Sequence, residues 1–198
     1  MPLPFLIKKH MACNTLANRY EPCKEFAGGL RGVFLVPYAF GDVVSKDASG
    51  LVTSINNGAS PTPVKSTAYF FELKGLSTLE ISGATSRDNG TTAYTQTLTL
   101  SLKPSGSTPN QADSDAELFD TLTKGRWRVI TWDRNNVFTL LGAVEGLDAT
   151  TDVEAWGTQM GDARLNTVTL IGMETLPKVI VDAESYADMS TVVTISAS

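Results

Sequence analysis

The most regular hydrophobic pattern in the sequence lies in segment 91–103, which follows an Asp88-Asn89-Gly90 turn. One face of an extended chain here is mainly apolar, with Tyr94, Leu98, Leu100 and Leu102. The opposite face carries only small hydroxyl groups, from Thr95, Thr97, Thr99 and Ser101. Because Asn89 and Gly90 tolerate positive φ, they favour a tight hairpin turn from the preceding strand. The pattern therefore predicts a long, two-faced strand in an antiparallel pair.

Similar strand-like segments recur between clusters of glycine, proline, asparagine and serine, and they predict about ten strands. The predicted strands cover residues 28–40, 67–75, 76–86, 91–103, 126–133, 137–144, 151–160, 164–174, 178–183 and 190–196. A small hairpin is expected around Lys46 to Gly50. Short connections favour antiparallel pairing, and closure into a barrel or sandwich would protect the strand edges.

One segment has the sequence signature of a helix. Ser114, followed by Glu117 three residues later, forms a candidate capping box. The apolar face consists of Ala116, Leu118, Phe119 and Leu122. Gly125 is expected to end the helix in a left-handed conformation. The pattern predicts a helix over about 114–124.

These elements predict a mostly β fold, an antiparallel β-sandwich or barrel with one flanking α-helix. Of the 198 residues, 42% are hydrophobic and 19% are charged, a balance that permits a sizeable core. Residues 1–27 show no clear period and are expected to form an N-terminal arm. A β domain with an extended loop at 41–66 follows at 28–182, and residues 183–198 form a C-terminal extension or a further strand.

The charge is acidic overall and unevenly distributed. The net charge of −5 and the pI of about 4.9 are poorly suited to tight binding of a phosphate backbone. Residues 1–31 carry five cations against two acids, whereas residues 145–198 carry nine acids against two cations. Ends of opposite sign suit head-to-tail association of identical copies, and chance surface charge explains them equally well.

The sequence lacks the groups that most enzymes need. His10, the single histidine, lies in the arm, so no Ser-His-Asp triad is expected, and no phosphate-loop or dinucleotide motif is present. Cys13 and Cys23 suit free thiols better than a disulfide, and neither a metal nor a cofactor is expected.

The acidic segment 145–154 is expected to be a solvated loop. Trp127 is expected in the core, with Arg126 and Arg128 at an interface.

The chain is also expected to be neither exported nor inserted in a membrane. Its N-terminal apolar stretch is too short for a signal peptide, and Lys8 and Lys9 follow that stretch instead of preceding it. No segment reaches the roughly 18 consecutive apolar residues of a membrane helix.

An ordered series of motifs resembles a known family. The motifs are MACN at 11–14, PCKEFAGGLRGVFLVPYAFGD at 22–42, FELKG at 71–75, SRDNGTTAYTQTLTLSL at 86–102, LTKGRWRVITWDRNN at 122–136, LLGAVEGLDAT at 140–150 and MGDARLNTVTLIGME at 160–174. In this order they resemble the tail-tube-like virion proteins of tailed phages with Bacteroidetes-type hosts. The resemblance covers roughly residues 11–176, and it rests on the order and spacing of the motifs.

The resemblance implies a tail tube subunit of the virion, assembled in the host cytoplasm. Six copies would form a ring with a continuous inner β-barrel, and stacked rings would form the conduit for DNA. The implied partners are further copies of the chain and the tape-measure, hub and terminator proteins of the tail. DNA would pass through without specific binding. A tail hub or a tail-completion ring is a related possibility.

The resemblance also suggests roles for individual residues. Arm 1–27 and loop 41–66 match the segments that bridge neighbouring rings. The candidate contacts are Lys8, Lys9, Arg19, Asp42, Lys46 and Asp47. The candidate lining of the channel is Thr95, Thr97, Thr99 and Ser101. A β-sandwich that binds carbohydrate or decorates a capsid is the alternative, with Trp127, Trp132, Trp156 and Tyr94 as its stacking residues.

Overall fold

The computed structural model describes residues 27–58, 64–74, 76–85, 92–104, 108–159 and 162–196. Within these ranges the chain is mostly β, with a ten-stranded sheet, a three-stranded sheet and two helices. The mostly β class predicted from the sequence is therefore confirmed. The turn residues Asn89 and Gly90 and the arm residues Lys8, Lys9 and Arg19 lie outside the described residues.

The structure contains thirteen strands and two helices in its described residues. In chain order the strands are β1 (Leu30–Pro37), β2 (Val43–Lys46), β3 (Val52–Asn57), β4 (Val64–Lys65), β5 (Thr67–Glu72), β6 (Thr78–Thr85), β7 (Thr92–Leu102), β8 (Arg126–Asp133), β9 (Phe138–Leu141), β10 (Leu147–Ala155), β11 (Leu165–Glu174), β12 (Val179–Ile180) and β13 (Thr194–Ile195). Helix α1 spans Pro109–Lys124, and helix α2 spans Met189–Val192.

The large sheet has the strand order β13-β5-β1-β8-β10-β11-β7-β6, with β9 beside β8 and β12 beside β9. Every pair in it is antiparallel except β13 with β5. The small sheet has the order β2-β3-β4. The predicted pairing of the strands on either side of Asn89-Gly90 is confirmed, since β6 and β7 pair from Thr78 with Thr99 to Thr85 with Thr92.

The first hydrophobic core lies between the inner face of β7 and β11, strands β1 and β8, and helix α1. Leu98 and Leu100 of β7 are fully buried in it, and each stabilises the fold by about 1.5–3 kcal/mol relative to an exposed side chain. Phe119 and Leu122 of α1 and Trp127 of β8 pack into the same core. The apolar face predicted for β7 is therefore the buried one.

Strands β1 and β8 are buried on both faces and separate two cores. Val33 and Leu35 of β1 belong to the first core, and Phe34 and Val36 belong to the second. The remaining members of the second core come mainly from β3, β9, β12 and α2. Burial on both faces explains why β1 is a continuous apolar run and not an alternating one.

Helix α1 begins earlier than the sequence pattern predicted. Thr108 is the residue before its first turn, and Oε1 of Gln111 accepts hydrogen bonds from the Thr108 backbone N–H at 3.3 Å and hydroxyl at 2.8 Å. Pro109 fits the first helical position because the N–H that it lacks needs no partner there. Ser114 therefore lies inside the helix, where its hydroxyl donates to the carbonyl of Asn110 at 3.1 Å.

Helix α1 ends before Gly125, but Gly125 does not adopt the conformation that was predicted for it. Gly125 has an extended backbone, with φ −89° and ψ 158°, and not the expected left-handed one. A Cβ atom at Gly125 would lie 2.7 Å from the ring of Trp127. Glycine is required here because the backbone approaches an indole closely.

The extended loop 41–66 contains the small hairpin predicted around Lys46 to Gly50, because β2 and β3 pair antiparallel on either side of that turn. It also contains β4, which was not predicted, and Val52 and Ile55 anchor the segment in the second core with no exposed surface. The expected acidic loop 145–154 is largely strand β10. The reason is that Leu147 and Ala149 alternate toward the first core while the acids between and after them remain on the surface.

The C-terminal segment is folded onto the domain. The strand predicted at 190–196 is divided, because α2 occupies its first residues and only Thr194–Ile195 pairs with β5. Met189, Val192 and Val193 are completely buried in the second core. Residues 183–196 are therefore part of the domain packing.

Candidate functional site

One face of the sheet formed by β10, β11, β7 and β6 carries many hydroxyl groups, interspersed on β10 and β11 with the apolar side chains of Val153, Ile171 and Met173. A single row of paired residues crosses all four strands and consists of Thr151, Thr169, Thr99 and Thr78. Neighbouring rows on the same face add Ser82, Thr95, Thr97, Ser101 and Thr167. Cross-strand partners share a face, so these nine side chains form one continuous surface. We call this surface the hydroxyl face.

The four residues predicted to line a channel all lie on the hydroxyl face. Thr95, Thr97, Thr99 and Ser101 are partly exposed, and the residues between them in β7 are buried or partly buried. Thr167 and Thr169 of β11 also lie on the hydroxyl face and were not predicted to do so. These two alternate with the buried Val168 and Leu170, which is the same signal that identified β7.

The hydroxyl face carries little charge. Glu80 of β6 and Asp148 of β10 lie on it, in the row that contains Thr97. Arg126 of β8 pairs with Asp148 through two hydrogen bonds, of 2.9 and 2.8 Å. The bonding to Asp148, followed by its charge, raises the pKa of Arg126. Among the residues that the structure describes in β6, β7, β10 and β11, the hydroxyl face has no cation.

The four strands that form this face have open edges on both sides. No strand of the described residues pairs with the outer edge of β6. On the other side, β8 pairs with β10 only at Leu147 and Asp148. From Thr150 to Ala155 the edge of β10 therefore has no partner strand in the described part of the chain. Open edges present unpaired N–H and C=O groups, which makes them templates for a further strand.

The strand directions at the two edges are opposite. Because β10, β11, β7 and β6 are successively antiparallel, β6 runs opposite to β10. A copy placed with its β10 beside the β6 of another copy would therefore continue the antiparallel order. Such a contact uses two different surfaces, so it is heterologous and closes into a ring if the rotation between copies permits.

The other predicted contact residues lie apart from the hydroxyl face. Asp42 is bound internally, with its Oδ2 2.7 Å from Nη1 of Arg128 and 3% of its side chain exposed. Asp47 caps the β2–β3 turn, where its Oδ1 accepts the N–H groups of Ser49 and Leu51 at 2.8 Å each. Lys46 is exposed at the end of β2. Arg128 was expected at an interface and is instead buried inside the domain. Its charge can be accommodated there because Asp42 neutralises it.

The predicted aromatic stacking residues do not form one site. Trp127 is buried, as expected, and its indole N–H donates to the carbonyl of Leu122 at 3.0 Å. Trp132 stacks on Phe138 with ring centroids 5.5 Å apart. Trp156 is 65% exposed, and the Arg164 guanidinium lies 3.5 Å from the centroid of its ring. Only Trp156 thus presents a largely exposed indole.

The described residues contain no group of three or more histidine, cysteine or acidic side chains placed to hold a metal ion. In the same residues, no helix has the length and apolar character required to cross a membrane.

The chain was also compared with known proteins. No protein-family profile matches it, and neither the curated proteins nor the solved structures include a match.

Proposed function

We propose that the chain is a structural virion protein, the tail tube subunit of a tailed phage. Its copies would form stacked rings around a channel for the genome, six to a ring as the resemblance of residues 11–176 implies. The observation that carries the proposal is the β10-β11-β7-β6 part of the large sheet, which has a free edge on β6, a free edge on β10 beyond Asp148, and an exposed face rich in hydroxyl groups. The protein would act through assembly, with no cofactor, and reside in the tail of the virion.

Joining the open edges gives a barrel of suitable size. Six copies would contribute about 24 strands, and at about 4.8 Å per strand and a tilt near 40° the barrel radius is roughly 24 Å. Barrels of 16–18 strands already enclose an aqueous channel. A barrel of about 24 strands would enclose a wider channel, and the hydroxyl face would line its inner wall.

The chemistry of the hydroxyl face suits passage of a polyanion. Tight DNA binding requires lysine and arginine contacts to phosphate, and the described strands place no unpaired cation on this face. Threonine and serine keep the surface wet, and Glu80 adds a negative charge. DNA would therefore move along the channel without being held. The tape-measure, hub and terminator proteins of the tail are the further partners that this role implies.

The test is disulfide cross-linking between the two open edges. In a chain with Cys13 and Cys23 replaced by serine, cysteines are introduced as Thr151→Cys on β10 and Thr78→Cys on β6. Within one copy these positions are three strand spacings apart, roughly 14 Å, and a disulfide requires a Cα separation below about 7 Å. Any bond between them must therefore join two copies.

Oxidation of the assembled protein should give a ladder of covalent oligomers whose largest member equals the number of copies per ring. Since barrel strands are staggered, Glu80→Cys and Ser82→Cys are tested with Thr151→Cys as well. The matched control pairs Thr78→Cys with Thr169→Cys, a residue of an interior strand. Cross-linking no greater than the control in all three registers would show that the sheets do not join at these edges.

A hub or a tail-completion ring would use the same edges without stacking. Negative-stain microscopy separates these roles, because a tube subunit should form tubes of stacked rings and the related proteins should stop at one ring.

The exposed indole of Trp156 favours a second candidate, a module that binds carbohydrate or decorates a capsid. Aromatic rings with one free face stack on sugar rings, and Arg164 covers one face of Trp156. Binding on a glycan array that is lost with Trp156→Ala and kept with Trp132→Ala would support this alternative. A chain that forms rings and shows no glycan binding would exclude it.

A further inference from the structure

A groove of about 320 Å³ lies between helix α1 and the face of β10 that is opposite the hydroxyl face. Its charged lining consists of four acids, Asp115, Asp120, Asp152 and Glu154, and one cation, Arg164, and the side chain of Asn166 also lines it. We call it the acidic groove. It opens beside the segment of β10 whose edge is free, so it adjoins the surface through which copies would join.

Some of these acids are neutralised within the chain. Oε1 of Glu154 lies 2.6 Å from Nη2 of Arg164, and Oδ2 of Asp120 lies 2.7 Å from Nζ of Lys124. The carboxylate of Asp152 makes no ion pair or side-chain hydrogen bond with any described residue. The groove therefore keeps an excess of negative charge.

The acidic groove also holds an unsatisfied buried acceptor. Asn166 is 94% buried, because only 6% of it is exposed, and its Oδ1 has no hydrogen-bond partner in the described structure. Asn166 lies directly opposite Glu154 in the β10–β11 pair and diagonal to Asp152. Buried polar atoms normally have partners, so this acceptor indicates a missing donor.

The missing donor is better explained by an ammonium group than by a metal ion. The described residues offer no cluster of three acidic or histidine ligands with metal-binding geometry. A lysine ammonium has three donors and carries positive charge, so it can satisfy the Asn166 oxygen and the Asp152 carboxylate together.

Exposed lysines occur near the other edge of these four strands, beside β6. Lys74 and Lys103 line a shallow depression together with the exposed side chain of Leu76. We call this surface the basic corner. Nζ of Lys74 is 3.6 Å from Glu72, and both side chains are more than 60% exposed, so this pair contributes little. Lys103 forms no ion pair among the described residues.

The acidic groove and the basic corner lie at the same end of the sheet. The threonine row defines one level across the four strands, at Thr151 on β10 and Thr78 on β6. From this level Asp152 and Glu154 lie in the direction in which β10 ends. The antiparallel pairing places Lys74, which precedes β6, beyond the same level in the same direction. Copies joined edge to edge at similar heights would bring the two surfaces together.

We propose that a lysine of the basic corner enters the acidic groove of the adjacent copy and donates hydrogen bonds to Asn166 and Asp152. The inference rests on the proposed ring and names the side chains that complete its subunit contact. The groove is incomplete in a single copy, and the neighbouring copy supplies the donor. Charge complementarity of this kind also orients the copies, because it opposes head-to-head contacts between like charges.

The experiment compares assembly of full-length variants by sedimentation and negative-stain microscopy. Lys74→Glu, Lys103→Glu, their double variant and Asp152→Lys are matched by Lys178→Glu and Asp182→Lys, which make the same charge changes elsewhere on the surface. Thermal unfolding of each variant confirms folding. We expect the double variant and Asp152→Lys to raise the protein concentration for half-assembly by about tenfold or more, since like charges at a contact are strongly unfavourable. Combining Asp152→Lys with Lys74→Glu or Lys103→Glu should restore assembly.

The outcomes separate this inference from the proposed function. If wild-type rings form and the corner and groove variants assemble like their controls, the lysine contact is wrong and the ring stands. If the groove variants impair assembly and neither charge swap restores it, the acidic groove binds something other than the basic corner, and the inference is overturned. If the wild-type chain remains monomeric at every concentration, the proposed function fails, and this contact fails with it.

Discussion

Nη1 of Arg128 donates a hydrogen bond of 2.7 Å to Oδ2 of Asp42, with only 4% and 3% of the two side chains exposed. The two residues are 86 positions apart in sequence, so the pair ties the segment before β2 to strand β8. The guanidinium also lies 4.3 Å from the ring centroid of Tyr38, and its Nε donates to the carbonyl of Ala143 at 3.4 Å. The buried charge of Arg128 is therefore neutralised only while the Asp42 carboxylate is present.

Replacing Asp42 with alanine should therefore destabilise the fold by about 3–5 kcal/mol, because it leaves the Arg128 charge buried without a counterion. The free energy of unfolding in urea measures the effect. Asp113→Ala, at an exposed position of α1, is the control and should change stability by less than about 0.5 kcal/mol. Equal losses in the two variants would mean that the pair is not buried as described.

A side chain at Gly125 is expected to destabilise the fold. Gly125→Ala would place a Cβ atom 2.7 Å from the Trp127 ring, and the shift of that ring should cost about 1–3 kcal/mol. Urea unfolding followed by tryptophan fluorescence detects both the loss of stability and the altered indole environment. The control is Gly28→Ala, where a Cβ would meet no atom within 4 Å. If Gly125→Ala is as stable as Gly28→Ala, close packing on Trp127 does not explain this glycine.

The hydroxyl face and the core face of β7 should respond in opposite ways to substitution. Leu98→Ala should destabilise the domain by about 2–5 kcal/mol, since it leaves a cavity in the first core. Thr97→Lys should leave the unfolding free energy nearly unchanged, because Thr97 lies on the partly exposed face. In assembled tubes, however, Thr97→Lys should convert the channel into a DNA-binding surface.

Co-sedimentation of DNA with assembled tubes tests this last effect. Binding should appear with Thr97→Lys and weaken steeply as the salt concentration rises. The control is Lys46→Arg, which preserves a charge outside the hydroxyl face. Wild-type tubes that retain DNA as strongly as Thr97→Lys tubes would contradict the proposed role of the face.

The connection between β10 and β11 should make stability depend on pH. The Asp162 carboxylate accepts the N–H groups of Thr158 and Gln159 at 2.7 and 2.8 Å and the Thr158 hydroxyl at 3.1 Å. These bonds, with the Thr158 N–H the largest contributor, hold the pKa of Asp162 below its usual value of 3.8. A lowered folded pKa means that the unfolded chain binds the proton more readily.

The contribution of Asp162 to stability should therefore be fully present above about pH 5 and be lost progressively as the pH falls through the unfolded and then the lowered folded pKa. Asp162→Asn should unfold at a lower temperature than the wild type at pH 7, and the difference should shrink at strongly acidic pH. Thermal unfolding between pH 7 and pH 2 provides the measurement, with Asp113→Asn as the control. A difference that stays constant across this range would rule out the carboxylate bonds as its cause.

Elements that depend on local pattern could be predicted from the sequence. Alternation identified β7, and the turn residues around it identified its partner β6. The start of α1 was missed because Pro109 was read as part of a loop, although proline is well suited to a first helical turn. Helix α2 was missed because Val192 and Val193 are β-branched and favour strands, and burial in the second core overrides that preference.

The features that define the candidate site depend on distant parts of the chain. The threonine row combines four strands, and only their register shows that Thr151 and Thr78 lie at one level. The unsatisfied oxygen of Asn166 and the Asp42–Arg128 pair likewise arise from tertiary contacts. Residue types alone do not reveal which strands lie at the edge of a sheet, because that depends on the order in which strands pair in the fold.

Strands β1 and β8 contribute side chains to both hydrophobic cores, and this has a consequence for how the domain comes apart. Separating β1 from β8 opens both cores at once, because each strand contributes side chains to both. The amide hydrogens of these two strands should therefore exchange with solvent last, and only when the whole domain unfolds. Loss of the β1–β8 pairing in one subunit of an assembly would therefore unfold that whole copy, because both of its cores depend on these two strands.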